Sequence, residues 1–218
     1  MKPKLILCLA LVLSGSLPAS HCHAAIIFPK APDGGQQIAH ESVAWILQTN
    51  PSFLGGARIE ELTIADPHQN YNANPQDVTS GNLLSAARLA TGRWRYFVMR
   101  GTNAVGVVAL RANEKAGKAL KFVEVDPPAR AAKLQIAQRK AEELPQVKKQ
   151  DYEFRFLNLA PLSFFAVWLH GKSDDIIIPL PPTWGIWNAY QPYSESQITE
   201  LLKKDIEKMP KGPIGTVD

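Results

Sequence analysis

The stretch RWRYFVMRGTNAVGVVAL, residues 93–110, carries the clearest structural signal in the chain. Trp94, Tyr96 and Val98 alternate with Arg93, Arg95 and Phe97, the period-two pattern of a strand with one buried and one wetter face. Arg100-Gly101-Thr102-Asn103 then turns the chain into the apolar run 104–110, and ALKFVEV (119–125), after the turn NEKAGK, supplies a third strand. Connections this short impose antiparallel pairing, because a parallel pair needs a crossover of about a dozen residues or more.

Downstream, Pro127-Pro128 opens a predicted helix over 129–144, with Ala132, Leu134, Ile136 and Ala137 packed, Arg130, Lys133, Arg139 and Lys140 in water, and Pro145 as its stop. The same grammar then repeats: YEFRFLNL (152–159), SFFAVWLH (163–170), a GKSD turn, DIIIPL (175–180) and a second proline pair, Pro181-Pro182. A closing helix is predicted over 194–208, its Ser194 and Gln197 at capping-box spacing. Upstream, the pattern predicts a helix over 37–48 stopped by Asn50-Pro51, a short strand over 58–64, and a helix from the Thr79-Ser80 cap to Gly92.

These elements imply an α+β protein: an antiparallel sheet built from two helix-plus-three-strand units, with helices on one face and a possible internal duplication at an offset of 54 residues. The expected segments are a signal peptide at 1–24, a lead-in and helix at 25–78, a first helix/meander unit at 79–144, a second meander unit with its closing helix at 145–208, and a flexible tail at 209–218. Over residues 80–208 this order of elements resembles PepSY-type and β-lactamase-inhibitor-type exported modules. That resemblance implies binding rather than catalysis.

Lys2 and Lys4, the apolar run 5–13 and the polar, small-residue segment ending SHCHAA have the order of a secretory signal peptide. Its apolar run is too short to span a bilayer. Removal after Ala24 would take away both cysteines, Cys8 and Cys22, so disulfides cannot hold the exported protein. It would leave 22 basic and 20 acidic residues, a formal charge of +2 rather than +4. So small an excess argues against a nucleic-acid partner, as does export. No later segment is long and apolar enough to span a membrane, and no cofactor motif occurs.

Four groups of residues carry candidate chemistry. Asp66, His68, Asn70 and Asp77 place oxygen and nitrogen donors along ADPHQNYNANPQD (65–77), a spacing that raises a calcium loop; the glycine and terminal glutamate of an EF-hand are missing, and a solvated loop of self-capping turns is the favoured reading. His170 ends a strand, with Asp174 and Asp175 across the turn and Ser173 beside them, the residue types of a hydrolytic base and its orienter. Arg93, Arg95 and Arg111 lie on what should be the wet face of their strands, a second choice of binding surface. In PLPPTWGIWNAYQPY (179–193), finally, Trp184, Trp187, Tyr190 and Tyr193 recur every three residues. Facing water they form a contact platform, and facing inward they strap the sheet; Trp184 is expected to be the more buried, and Trp187 and Tyr190 the exposed contacts. The leading functional expectation is an exported, non-enzymatic binding or inhibitory module of the cell envelope with a protein partner. The alternative is a small envelope hydrolase using His170 with Asp174 or Asp175.

Overall fold

The computed structural model describes residues 25–113 and 118–208. The signal peptide, the tail and most of the NEKAGK turn therefore lie outside the described residues. In chain order the elements are β1 (Ile26–Ile27), α1 (Gly35–Thr49), a 3-10 turn (Ile59–Glu61), β2 (Leu62–Asn72), α2 (Pro75–Thr79), α3 (Leu83–Ala86), β3 (Arg88–Arg100), β4 (Asn103–Asn113), β5 (Lys118–Asp126), α4 (Pro128–Glu142), β6 (Tyr152–Leu159), β7 (Phe164–Gly171), β8 (Asp175–Pro179), β9 (Tyr193–Ser194) and α5 (Glu195–Ile206), with a second 3-10 turn (Ala160–Leu162) between β6 and β7.

Among the described residues the nine strands join one sheet, in the order β5-β4-β3-β2-β6-β7-β8-β9 with β1 also beside β6. The two meanders, β2 to β5 and β6 to β9, are antiparallel internally, as their short turns require, but β2 and β1 both run parallel to β6. The expected antiparallel sheet is thus corrected to a mixed one. Between β5 and β6 the chain travels through the whole of α4, a crossover long enough to bring β6 in parallel.

Helices on one face is corrected as well, because the sheet is covered on both. Ala39 and Val43 of α1 pack on Trp94, Tyr96, Val98, Val108 and Leu110. Leu134, Ala137 and Ala141 of α4 pack against Phe97, Val107, Phe154, Val167 and Leu169. Ile198 and Leu202 of α5 pack on Leu157, Leu159, Ala166, Trp168 and Ile177. Cross-strand partners Trp94, Gln69, Arg155, Trp168 and Ile177 form one row, so α1 and α5 share a face and α4 covers the other. The duplication gains no support from this arrangement. The helices preceding the two meanders lie on opposite faces, and Pro181-Pro182 leads into an irregular loop where Pro127-Pro128 leads directly into a helix.

Two predicted elements change identity. The helix over 80–90 shrinks to the single turn α3, and Arg88–Gly92 becomes the start of β3, because Leu89 and Arg88 pair with Tyr71 and Asn72 of β2. Gly92, expected as a helix terminus, has φ +62 inside the strand. The solvated loop at 65–77 is the second correction: most of it is β2, the central strand. Asp66 (φ +49) and Pro67 form a bulge between the pairs Ala65↔Phe97 and His68↔Arg95, which is where a sheet tolerates a proline. At the start of α1, Gly35 lies against the Tyr96 ring so closely that a β-carbon would overlap its hydroxyl. In α4 the buried residues are Ala131, Leu134, Ala137 and Ala141, while Ile136 is exposed; in so alanine-rich a helix the apolar phase is poorly marked.

Candidate functional site

β2 is the most polar strand of the sheet, and it lies at its centre. On the α4 face three rows run across β2, β6 and β7. Asn72, Asn158 and Phe165 are register partners, Asn70, Phe156 and Val167 are the next row, and His68 lies edge-on to Phe154 at 5.1 Å between ring centroids. His68 is fully buried and Asn70 is 1% exposed.

Arg95, the register partner of His68, is buried too, which corrects its expected place on a wet face. The cause is α4, whose N-terminal turn follows Asp126 directly and closes over it. Arg95 pairs with the buried Asp126, and Arg130 of α4 reaches the other oxygen of that carboxylate at 2.6 Å. Glu124 stands 3.8 Å from Arg95 and 3.3 Å from Arg93. Burial lowers the Arg95 guanidinium to about 10 against the pull of Glu124, so it keeps its charge at neutral pH. Burial also drives His68 down to about 3, opposed by its hydrogen bond to the Asp66 carbonyl at 2.9 Å and aided by Arg95. A neutral His68 donates through Nδ1 to that carbonyl and presents Nε2 as an acceptor. Burial raises the Asp66 carboxyl, with Glu142 adding to the effect. Arg93 is half-buried and paired, while Arg111 is exposed.

On the opposite face, the expected pairing of His170 with an aspartate is present with Asp175, whose Oδ1 lies 2.8 Å from His170 Nδ1. The same oxygen accepts from Trp168 Nε1 at 2.8 Å. Beside them Arg155 is sandwiched between the rings of Tyr71 and Trp168, at 4.8 and 4.6 Å, and bonds Glu153 at 2.7 Å. Asp174 is not part of this group. It accepts from Tyr152 Oη at 2.7 Å and from Ser173 Oγ at 3.2 Å, and Ser173 also donates to Gln150 at 3.1 Å. The serine that a His170 base would activate is thus engaged elsewhere.

In the loop between β8 and β9 the expected faces are reversed. Trp187 is 3% exposed and meets Phe164 edge-on at 5.2 Å, whereas Trp184 is 75% exposed. Gly185 explains part of this: a β-carbon there would overlap the Trp187 ring, so the ring folds back across its own chain and into the core. The loop is pinned at several points. Leu180 N donates to Phe165 O at 2.8 Å, Tyr190 N to Pro179 O at 2.8 Å, and Asn188 N to the Tyr193 hydroxyl at 3.0 Å. Tyr190 and Tyr193 are half-buried, and Ile186 is exposed beside Trp184. Tyr190 and Pro192 also line a cavity of about 300 Å³ with Lys140, Glu143, Leu144 and Ile178.

Of the four calcium-loop candidates, Asp66, His68 and Asn70 belong to β2, and Asp77 lies in the first turn of α2, its Oδ2 accepting from the backbone N–H of the cap residue Asn74 at 2.8 Å. Among the described residues no group of three or more His, Cys, Asp or Glu is placed to hold a metal ion, and no helix is long and apolar enough to cross a membrane. The buried polar β2 face had no signal in the sequence beyond the density of Asn and His. No family model, curated protein or solved structure matches the chain.

Proposed function

We propose that this protein is a non-enzymatic binding module that acts outside the cytoplasm and grips a protein partner through Trp184 and Ile186. The observation that carries the reading is the contrast within one loop: Trp184 is 75% exposed while Trp187, three residues on, is 3% exposed and anchors the loop. A tryptophan held out on a pinned loop loses little conformational freedom on contact, and tryptophan leads the residue types that dominate protein interfaces. Export is supported by the basic, apolar and small-residue order of residues 1–24.

The hydrolase reading keeps one favourable observation, the 2.8 Å contact between His170 and Asp175. With Ser173 bonded to Gln150 and Asp174, it would need a nucleophile from the substrate side, such as water. The deciding experiment is a pull-down from an envelope extract with tagged wild type, Trp184→Ala and His170→Ala. A stoichiometric protein held by wild type and by His170→Ala, and lost with a correctly folded Trp184→Ala, supports the binding reading. Equal retention by all three, or hydrolysis of an ester or glycan panel that His170→Ala abolishes, overturns it.

A further inference from the structure

The C-terminal end of α4 and the loop between β8 and β9 frame the cavity of about 300 Å³ lined by Lys140, Glu143, Leu144, Ile178, Tyr190 and Pro192. Its floor is apolar: Ile178 is 1% exposed and belongs to the core under α4, and Leu144 and Tyr190 pack against the same cluster. Its rim is open to water, since Lys140 in the last turn of α4, Glu143 at the end of that helix, and Pro192 are all exposed. Tyr190 is held in a left-handed backbone conformation, φ +62, with its N–H bonded to the Pro179 carbonyl at 2.8 Å. A tyrosine is strained there, and residues held in this way cluster at ligand clamps and active sites. Burial raises the pKa of its hydroxyl, which stays an O–H donor at neutral pH. Among the described residues Lys140, Glu143 and the Tyr190 hydroxyl have no ion-pair or side-chain hydrogen-bond partner, whereas their neighbours Gln138 and Glu142 bond each other and Arg139 bonds the Thr102 carbonyl. Lys140 and Glu143 do not pair with each other either, although Glu200 and Lys203 of α5 do so at the same spacing.

We infer that this cavity is a binding site for a free, zwitterionic α-amino acid with an apolar side chain. The lining offers one cation, one anion and one hydroxyl donor over an apolar floor, and the ligand has to match all of them. The Lys140 ammonium and the Tyr190 hydroxyl suit a carboxylate, and the Glu143 carboxylate suits an ammonium. The backbone carbonyls at the end of α4 favour a cation on the same side as Glu143. A ligand of one sign gains from one of these side chains and is repelled by the other: a simple carboxylate or a phosphate would face Glu143, and an amine alone would face Lys140. An amino acid carries both signs on one carbon, so it answers both groups at once. Inside a peptide the same two positions are neutral amides and answer neither. The side chain then rests on Leu144, Ile178 and Pro192. A volume of about 300 Å³ stands at the lower end of small-molecule sites, which suits a single amino acid.

This site is independent of the Trp184 contact, and the test keeps the two apart. The backbone amide signals of Leu144 and Tyr190 in the ¹⁵N-labelled protein are followed while L-leucine, L-methionine and L-phenylalanine are added separately. The controls are the N-acetyl form of each, which lacks the ammonium, and the amide form of each, which lacks the carboxylate. At least one free amino acid is expected to shift both signals saturably, with its two blocked forms weaker by about tenfold or more. Lys140→Gln and Glu143→Gln change exposed side chains and should fold like wild type. Each should weaken binding of the amino acid by about tenfold or more, as loss of a hydrogen bond to a charged group implies. The discrimination should follow the charge removed: Lys140→Gln no longer prefers the amino acid to its amide, and Glu143→Gln no longer prefers it to its N-acetyl form. Trp184→Ala should bind the amino acid like wild type. No saturable shift with any of the three up to its solubility limit, equal binding of the blocked forms by wild type, or unchanged discrimination in both variants overturns the assignment and leaves Lys140 and Glu143 as solvated surface charges.

Discussion

Residues 65–72 and 179–193 are both rich in the residues that break regular structure, and they end in opposite ways. The first, ADPHQNYN, is polar and is pulled into the centre of the sheet, where His68 and Asn70 are almost fully buried. The second, PLPPTWGIWNAYQPY, is aromatic and stays irregular at the sheet's edge, with Trp184 in water. Burial in this protein follows position in the sheet rather than side-chain polarity. A strand with partners on both sides buries its backbone and whatever side chains come with it. The loop after β8 has a short strand as its only following partner, so its rings divide between core and solvent one by one.

The largest effect expected is on the loop. Trp187→Ala removes an indole packed on Phe164 and should cost about 3–5 kcal/mol, read as a lowered urea midpoint. A melt like that of wild type would mean the loop is not anchored at all, and the contrast between the two segments would collapse. Next comes the ion pair that makes a polar central strand tolerable. Asp126→Ala leaves Arg95 buried with Glu124, at 3.8 Å, as its remaining acidic partner among the described residues, and should cost about 3 kcal/mol, near the lower end for a broken buried pair. Combining it with Arg95→Met should restore part of the loss, because no unpaired charge then remains inside. A double variant less stable than Asp126→Ala would show that the polar β2 face does not depend on this pair.

The two meanders were legible because their apolar alternation and turn residues agree: YEFRFLNL is a strand over its whole length, and Ser194 and Gln197 form the capping box their spacing implies. β2 was not legible, since Asp66, Pro67, Asn70 and Asn72 are local turn signals, and the force that overrides them is pairing with β3 and β6, which are remote in sequence. For the same reason Arg95 looked wet: alternation shows two faces but not whether a helix from elsewhere will cover the second. The proximity of His170 and Asp175 was readable because both flank one tight turn. The division between Trp184 and Trp187 was not, as it depends on the way Gly185 lets the second ring fold back.

Acid should separate the two segments. Native His68 stays neutral down to about pH 3 whereas an unfolded histidine takes its proton near 6.5, so the unfolded chain binds more protons and gains as pH falls. Stability is expected to drop by about 1.4 kcal/mol per pH unit below about 6.5, and to be fully present above it. Asp66 acts in the opposite sense toward the acid end, because its raised pKa lets the native state take up a proton earlier. Arg95, whose pKa burial lowers only to about 10, keeps its charge throughout this range. Urea midpoints at pH 7 and pH 5 should diverge in wild type and converge in His68→Gln. An identical slope in the two would show that the buried strand does not carry the pH dependence.

The smallest stability effect is expected at the most exposed ring. Trp184→Ala touches a side chain with three quarters of its surface in water, and substitutions of that kind usually lie within about 0.5 kcal/mol of wild type. Its melt should therefore match wild type while Trp187→Ala, three residues away, falls well below. That pairing removes the usual ambiguity of an interface variant, since a loss of partner binding in Trp184→Ala cannot then be assigned to unfolding. If Trp184→Ala is as destabilising as Trp187→Ala, the ring is packed in solution and the loop is a strap along its whole length. The partner's contact would then have to lie on another exposed apolar side chain, with Trp45 of α1, 59% exposed beside Ile38 and Phe122, as the next to test.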